Sequence, residues 1–373
     1  MKTVWISLLG LVLIFGCSGS GERNNVATPL DDFSAPFYFG LFEVPPGNPL
    51  TQEGVELGRM LFYETSLSRD SSISCASCHQ QSRAFTDGHK VAVGIRGQKM
   101  DRNTMSLVNM LWATSHKFWD GRAANLEEQA LIPIQNVKEM DLEISEMLRR
   151  LNNDPQYKAK FKAAFNTDEI KEEHVAKALA QFQRTLISQD SKYDKFLKGE
   201  LQLSEQEQRG LQSFFTHPDP SVGLRGSNCG DCHRNFLTDG FREGLDGFAN
   251  NGLEDDEHLE DGLFTVTKNP MDKGKFKIPS LRNIALTAPY MHDGRFNTLE
   301  EVLAHYNDHI RMSATLDILI REASNEPREI TDSIALKLTK EEINDIIAFL
   351  KTLTDSTFIT NEKYADPFTD QDY

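Results

Sequence analysis

Two short patterns constrain this chain more than any other feature: Cys75-Ala-Ser-Cys78-His79 and, 154 residues later, Cys229-Gly-Asp-Cys232-His233. C-x-x-C-H is the attachment motif of a c-type haem. Thiols at i and i+3 can bond the two haem vinyl groups, and the histidine that follows is placed to ligate the iron from the proximal side. Paired C-x-x-C sequences also occur in four-cysteine zinc sites and in redox disulfides. Both alternatives leave the histidine of each motif without a role. The expectation is two covalently bound haem c groups, held by Cys75, Cys78 and His79 and by Cys229, Cys232 and His233.

The chain has five cysteines, so one lies outside the haem motifs. Cys17 follows a start containing Lys2 and an apolar run over residues 4–15, broken by Ser7 and Gly10. The run has signal-peptide length and is short for a bilayer span. A lone Cys after Ile-Phe-Gly resembles a bacterial lipoprotein cleavage site, with Phe15 bulkier than usual there. The other reading is an ordinary signal peptide cut a few residues later. In the lipoprotein reading residues 1–16 are removed and Cys17 is acylated. Residues 17–42 then form a tether, rich at first in Ser, Gly, Asn and Pro, and the lipid is the only membrane attachment. Ser18 resembles outer-membrane sorting, which predicts a periplasm-facing lipoprotein of the bacterial cell envelope. The net charge of −16 argues against nucleic acid, whose phosphates need a basic footprint. It suits a basic partner.

More than C-x-x-C-H recurs. Gly58-Arg-Met-Leu-Phe-Tyr parallels Gly210-Leu-Gln-Ser-Phe-Phe, and Thr86-Asp87-Gly88 parallels Thr238-Asp239-Gly240. Arg102-Asn103 parallels Arg282-Asn283. Phe118-Trp119-Asp120-Gly121-Arg122 parallels Met291-His292-Asp293-Gly294-Arg295, and Leu126-Glu-Glu parallels Leu299-Glu-Glu. Such an ordered series indicates internal duplication. Apolar residues at helical spacing predict helices over residues 53–62, 143–151, 171–186, 204–215 and 340–353. Ser204 with Glu207 and Thr339 with Glu342 form capping boxes for the last two. No long alternating strand pattern is present. The fold class expected is all-α, with two cytochrome c-like haem domains over residues 43–199 and 200–354 and a tail over 355–373. The Gly-, Asp- and Glu-rich stretch 250–275 reads as a surface loop.

The duplication already separates the two haems. Seven residues past Leu126 and Leu299 stand Pro133 and Tyr306. Pro has no side chain that can ligate iron, whereas a Tyr phenolate can. One iron is thus expected to stay open and the other to be closed. The alternative for Tyr306 is an ordinary buried aromatic, with His305 and His309 its nearest rivals as ligands.

These segments resemble the bacterial di-haem cytochrome c peroxidases and their MauG-type relatives. The resemblance is carried by Leu57-Gly-Arg-Met-Leu-Phe62, Ile73–His79, Arg102-Asn103-Thr, Phe118–Ala130, Ile278-Pro-Ser-Leu-Arg-Asn283 and Ala288-Pro-Tyr-Met-His-Asp-Gly-Arg295. It runs from about Glu43 to Thr354. It implies a first haem that is peroxidatic and a second closed by Met or, in MauG-type members, by Tyr at the place of Tyr306. It implies that Glu139 is a general acid/base for peroxide, that Gln129 orients peroxide or water, and that Pro133 faces the open iron. Trp119 would pass electrons between the haems. Read without the family, Glu139 and Gln129 are polar residues beside a helix end, and Trp119 and Trp112 are core.

The family also holds a calcium ion between the haems; Asn103 matches its side-chain ligand, and Lys277 and Pro279 match its carbonyl ligands. Many members carry a His that blocks the peroxidatic iron, but residues 91–101 contain none, and His89 lies too early. His292 is taken as structural. The expected activity is reduction of hydrogen peroxide to water, with electrons from a periplasmic cytochrome c or cupredoxin. Two alternatives are a MauG-type oxidation of a protein substrate and a di-haem electron carrier without catalysis. Family peroxidases are often homodimers.

Overall fold

The computed structural model describes residues 27–30, 35–234, 246–329 and 333–368. Cys17 and Thr238-Asp239-Gly240 lie outside the described residues. In chain order the helices are α1 (Gln52–Tyr63), α2 (Cys75–Cys78), α3 (Leu126–Gln135), α4 (Ile144–Asn153), α5 (Pro155–Phe165), α6 (Glu172–Arg184), α7 (Lys192–Leu197), α8 (Glu205–Phe215), α9 (Phe264–Thr267), α10 (Leu299–Asp308), α11 (Ile318–Glu322) and α12 (Lys340–Lys351). The five segments predicted from apolar spacing are present as α1, α4, α6, α8 and α12. Both predicted capping boxes form, with Ser204 and Thr339 each accepting from the backbone N–H three residues on. α5 starts on Asp154, whose carboxylate accepts from Gln156 N and Tyr157 N, with Pro155 in the first turn. Among the described residues the strands are two-residue pieces, β1 (Phe248–Ala249) and β2 (Phe276–Lys277), paired antiparallel.

The apolar core falls into two main clusters. One gathers Leu57, Leu61, Phe62, Phe85, Ile134, Phe161, Leu179 and Phe182. The other gathers Phe214, Leu299, Leu303, Ile346, Phe349 and Leu353. The same contact organises both. A Cβ on Gly58 of α1 would lie 2.0 Å from Ala178 O and 2.9 Å from Phe182 Cβ of α6. A Cβ on Gly210 of α8 would lie 1.9 Å from Asp345 O and 2.8 Å from Phe349 Cβ of α12. Each helix pair can therefore cross in backbone contact only because the crossing residue has no side chain. Phe62 then meets Phe182 with ring centroids 5.3 Å apart, and Phe214 meets Phe349 at 5.7 Å.

A second shared device corrects one sequence parallel. Asn109 donates its N–H to Leu186 O (2.8 Å) and accepts from Ser188 N on Oδ1 (2.8 Å). Asn283 donates to Leu353 O (3.0 Å) and accepts from Asp355 N on Oδ1 (2.7 Å). Both asparagines have positive φ and start a short 3₁₀ turn. The counterpart of Asn283 is thus Asn109, not Asn103; the shared run is Ser106-Leu-Val-Asn109 against Ser280-Leu-Arg-Asn283.

Three other sequence readings are changed by the packing. Residues 17–42, read as a tether, are packed onto the fold near their end: Phe39 is buried against Trp112, and Tyr38 Oη donates to Asp194 Oδ1 (3.1 Å). Residues 250–275 do not form a plain surface loop. Leu253, Leu263 and Asn250 are buried, and Leu263 packs on the turn at Gly121, where a Cβ would meet its Cδ1 at 3.0 Å. The stretch leaves from β1 and returns on β2, so both its ends are held beside the turn it covers. Residues 355–373, read as a tail, are built into the first half over their described part. Phe358 is buried against Phe85, Tyr63 donates to Tyr364 O (2.7 Å), and Gln81 donates to Phe358 O and Asn361 O. Among the described residues no helix is long and apolar enough to cross a membrane.

The glycine contacts give a direct test. Gly58→Ala and Gly210→Ala each force a helix pair apart, an overpacking that costs about 1–3 kcal/mol. Thermal melting of the haem-loaded variants should show a lowered Tm for both; unchanged melting would show that the crossings tolerate a methyl group.

Candidate haem sites and the wall between them

Each half encloses an open cavity beside its C-x-x-C-H. With the open solvent at their mouths included, their empty volumes are about 1680 Å³ in the first half and about 1560 Å³ in the second. Cys78 and His79 line the first, with Cys75 packed into the adjoining core. Cys229, Cys232 and His233 line the second. Burial pushes the Cys75 and Cys78 thiols up to about 12 and Cys229 up to about 11. An activated redox dithiol needs the opposite shift. The two cysteine pairs face different cavities, and among the described residues no group of three His, Cys, Asp or Glu stands at metal-holding spacing. A shared four-cysteine zinc site is therefore excluded by geometry.

Each motif histidine is held through Nδ1, by Phe85 O at 2.8 Å for His79 and by Pro279 O at 3.2 Å for His233. Outer hydrogen bonds of this kind orient a ligating imidazole. Burial lowers the pKa of His79, which favours the neutral form that ligates.

The open face of the first cavity is built by α3 and the segment after it. Asn125 caps α3 by accepting from Glu128 N. Gln129, Pro133 and Asn136 then fall at i, i+4 and i+7 on one face. Gln129 and Asn136 line the cavity; Pro133 lies between them along the helix and is not among the lining residues. Gln129 Oε1 is buried with no hydrogen-bond partner, an acceptor left for whatever enters. Glu139 lines the same cavity and accepts from Asn136 Nδ2 at 2.9 Å. Burial raises its pKa, with Arg122 and the Asn136 hydrogen bond pulling the other way. Residues 91–101 are latched against this segment. A Cβ on Gly94 would lie 2.0 Å from Lys138 O, Ile95 N donates to Glu139 O (2.8 Å), Arg96 pairs with Asp141, and Lys138 pairs with Asp101 (3.1 Å). His89 is exposed and lines neither cavity.

In the second cavity the corresponding helix is α10, capped by Thr298. It turns Leu299, Val302 and Tyr306 inward. The rivals of Tyr306 are engaged elsewhere: His305 Nε2 lies 3.0 Å from Asn251 O, and His309 Nδ1 lies 2.9 Å from Ala304 O. Neither lines the cavity. Burial raises the pKa of the Tyr306 phenol, so only a strong positive partner such as a metal would ionise it there.

One wall separates the cavities. Asn103, Thr104, Met105, Ser106, Trp119 and residues 277–280 line both. Trp119 is held inside this wall: its Nε1 donates to Asn103 O (2.8 Å), and its carbonyl accepts from Lys277 N (2.9 Å). The three residues matched to calcium, Asn103, Lys277 and Pro279, are thus brought together. Trp112, by contrast, is buried in the core with Phe39.

Comparison with known proteins bears directly on this arrangement. Residues 52–202 match the family described as di-haem cytochrome c peroxidase. The chain is 36% identical over 312 residues to methylamine utilization protein MauG of Methylorubrum extorquens, covering 83% of this chain and 80% of that protein. It is 33% identical over 361 residues to cytochrome c551 peroxidase of Nitrosomonas europaea, covering 95% and 92%. The chain belongs to the di-haem cytochrome c peroxidase and MauG family. Among solved structures, a MauG-like protein associated with microbial copper homeostasis aligns with TM-score 0.77 and 36% identity over 90% of this chain and 99% of that one. Family membership implies two c-type haems, and the cavities, their thiols and the oriented histidines fit that group.

Several residues at these sites were not singled out from the sequence. Gln183, at the end of α6, lines the first cavity with an unpartnered Oε1. Asn251 and Glu260 come from the stretch read as a loop. Asn251 reaches Tyr306 and Met291. Glu260 joins Arg102 (2.6 Å) to His292 (3.2 Å). His292 itself is buried, stacks on Phe276, and lies 6.5 Å from the Trp119 ring. A hydrogen-bonding loop residue has no local sequence signature, so only the tertiary contact identifies it.

The hydrogen bond to His292, joined by the charge of Arg102, holds the Glu260 carboxyl at about 2 against an ordinary 4.5. A depressed carboxyl contributes stability above its unfolded value, and that contribution is lost as pH falls from 4.5 through 2. Glu260→Gln should therefore flatten the fall of Tm over that window, measured by melting at stepped pH. An unchanged slope would mean the bridge contributes nothing to folding.

Proposed function

We propose that this protein reduces hydrogen peroxide to water at its first haem, with electrons delivered through the second from a small periplasmic cytochrome c or cupredoxin. The observation that carries the reading is the opposite equipment of two like cavities. Glu139 and Gln129 face one, while Tyr306 faces the other. Peroxide takes up two electrons and two protons to give two waters, and the haem iron held by His79 supplies the redox chemistry when bound. Pro133, on the same helix as Gln129, has no side chain that could ligate the iron. Glu139 takes the proton from the nearer peroxide oxygen and returns it to the leaving one, a transfer helped by its raised pKa. Gln129 Oε1 orients the substrate or product water. Trp119, in the shared wall, carries electrons between the haems. A calcium ion held by Asn103, Lys277 and Pro279 would brace that wall. The paired crossings at Gly58 and Gly210 and the paired caps at Asn109 and Asn283 support two cytochrome c-like domains arising by internal duplication. Acylation at Cys17 and an outer-membrane, periplasm-facing location are proposed from the sequence alone.

A second reading is MauG-type oxidation of a protein substrate. Tyr306 in the second cavity and the absence of a His from residues 91–101 favour it. Stopped-flow mixing with peroxide separates the readings: rapid oxidation of reduced cytochrome c supports the peroxidase. A long-lived oxidised haem signal with slow donor turnover supports the MauG-type reading, and no reaction sinks both. In whichever activity is found, Glu139→Gln should lower kcat/KM by roughly 10²–10⁴-fold; full activity would remove Glu139 from the mechanism.

The latch on residues 91–101 supports a first iron that is open without prior reduction. The EPR spectrum of the isolated ferric protein should contain a high-spin signal beside a low-spin one. Low-spin signals alone would show a sixth ligand at both irons.

A further inference from the structure

We propose that Asn251 is a positioning residue for the second haem: its side-chain amide donates a hydrogen bond to the Tyr306 oxygen and weakens that oxygen as a donor to iron. The inference rests on the reading of Tyr306 as an iron ligand and adds a residue that sets how strongly it binds. Asn251 Nδ2 lies 3.3 Å from Tyr306 Oη and 3.4 Å from Met291 Sδ. All three residues line the second cavity. The amide therefore touches a phenol oxygen and a thioether sulfur, two groups able to bind iron.

Asn251 is not free to drift. Its carbonyl is held by His305 Nε2 at 3.0 Å, from the residue next to Tyr306 on α10. The preceding Asn250 donates to Ser313 Oγ (3.0 Å) and Thr315 Oγ1 (2.9 Å), and its Oδ1 accepts from Gly252 N (2.9 Å). The residue is thus fixed from both sides. A phenolate only accepts hydrogen bonds, so a donor aimed at the Tyr306 oxygen matches the ionised, ligating form.

The effect on the metal follows from charge. A hydrogen bond to an ionised oxygen is charge-assisted and draws electron density from it, so the ferric state receives less and is less favoured over the ferrous one. Hydrogen bonds to metal ligands from the surrounding shell tune potentials in this way. The same amide keeps the Met291 thioether engaged beside the phenol. The donor thereby raises the potential of a phenolate-ligated haem, making it easier for an external carrier to reduce.

The test is a spectroelectrochemical titration of the di-haem protein and its variants. Asn251→Leu removes the donor at similar size. The midpoint potential of the second haem should shift down, with the phenolate-to-iron charge-transfer absorption kept and the first haem unmoved. Asn251→Gln, which retains an amide donor, should return the potential toward wild type. Asn251→Asp keeps the shape, replaces the donor with a carboxylate, and should also shift the potential down; it serves if the Leu variant fails to load haem. An unmoved second potential in the donor-less variants, with the phenolate absorption present in wild type, overturns the role of Asn251 and leaves Tyr306 as a ligand. If wild type and Tyr306→Phe have the same spectrum, Tyr306 is not a ligand and both readings fall.

Discussion

The two halves of this protein are locked together by hydrogen bonds around Ser188 and Asp355. Asn109 Nδ2 donates to Ser188 O (3.2 Å), and Asn283 Nδ2 donates to Ser188 Oγ (3.0 Å). Ser188 Oγ donates in turn to Asp355 Oδ2 (3.0 Å), which also accepts from Gln189 N and Asp190 N. These groups are buried, and each left unpaired would cost about 1–3 kcal/mol. The consequence lies a few residues upstream. Residues 103–106 run directly into Asn109, and residues 277–280 run directly into Asn283. Fixing the two asparagines fixes the two strips of chain that form the wall between the cavities. A buried ion pair reinforces one side, with Arg282 NH1 2.6 Å from Asp194 Oδ2.

On this common frame the difference between the cavities reduces to one helical face in each half. α3 and its C-cap carry Gln129, Pro133 and Asn136, and α10 and its C-cap carry Val302, Tyr306 and His309 at the same offsets. The first set offers amides and no ligand. The second offers an apolar contact and a phenol, and its His309 turns back onto its own helix. Glu139 follows the first helix, and its counterpart by count is Met312, which is exposed. The two helices thus have the same length and are each capped by a side chain, and differ at this face in a few side chains.

What could be read from the sequence was what is local. C-x-x-C-H, the capping boxes at Ser204 and Thr339, and the helices with strong apolar spacing are set within a few residues of chain. The match of Arg102-Asn103 with Arg282-Asn283 failed because identity of two letters carries less than the hydrogen bonds an asparagine makes; the cap geometry picks Asn109. Glu139, Gln129 and Trp119 were found through the family resemblance, since nothing near them in the chain distinguishes a cavity residue from a surface one. Gln183 and Glu260 were missed because their roles depend on elements far away in sequence. Residues 355–368 looked like a tail because their partners, Tyr63, Gln81 and Phe85, lie almost three hundred residues earlier.

The stretch between β1 and β2 shows how an added segment can serve one half without disturbing the other. Both of its ends sit on the short antiparallel pair, with Phe248 opposite Lys277, so its closure asks nothing of the helices. Inside that closure it covers the turn at Gly121 with Leu263, sets Glu260 between Arg102 and His292, and brings Asn251 to Tyr306. Two of these contacts cross to the first half, which ties the polar surroundings of the wall to the segment that steadies the second cavity. A phenol on a helix can ligate only if it is held, and a helix alone fixes its base, not its oxygen. The amide supplied by the loop fixes the other end.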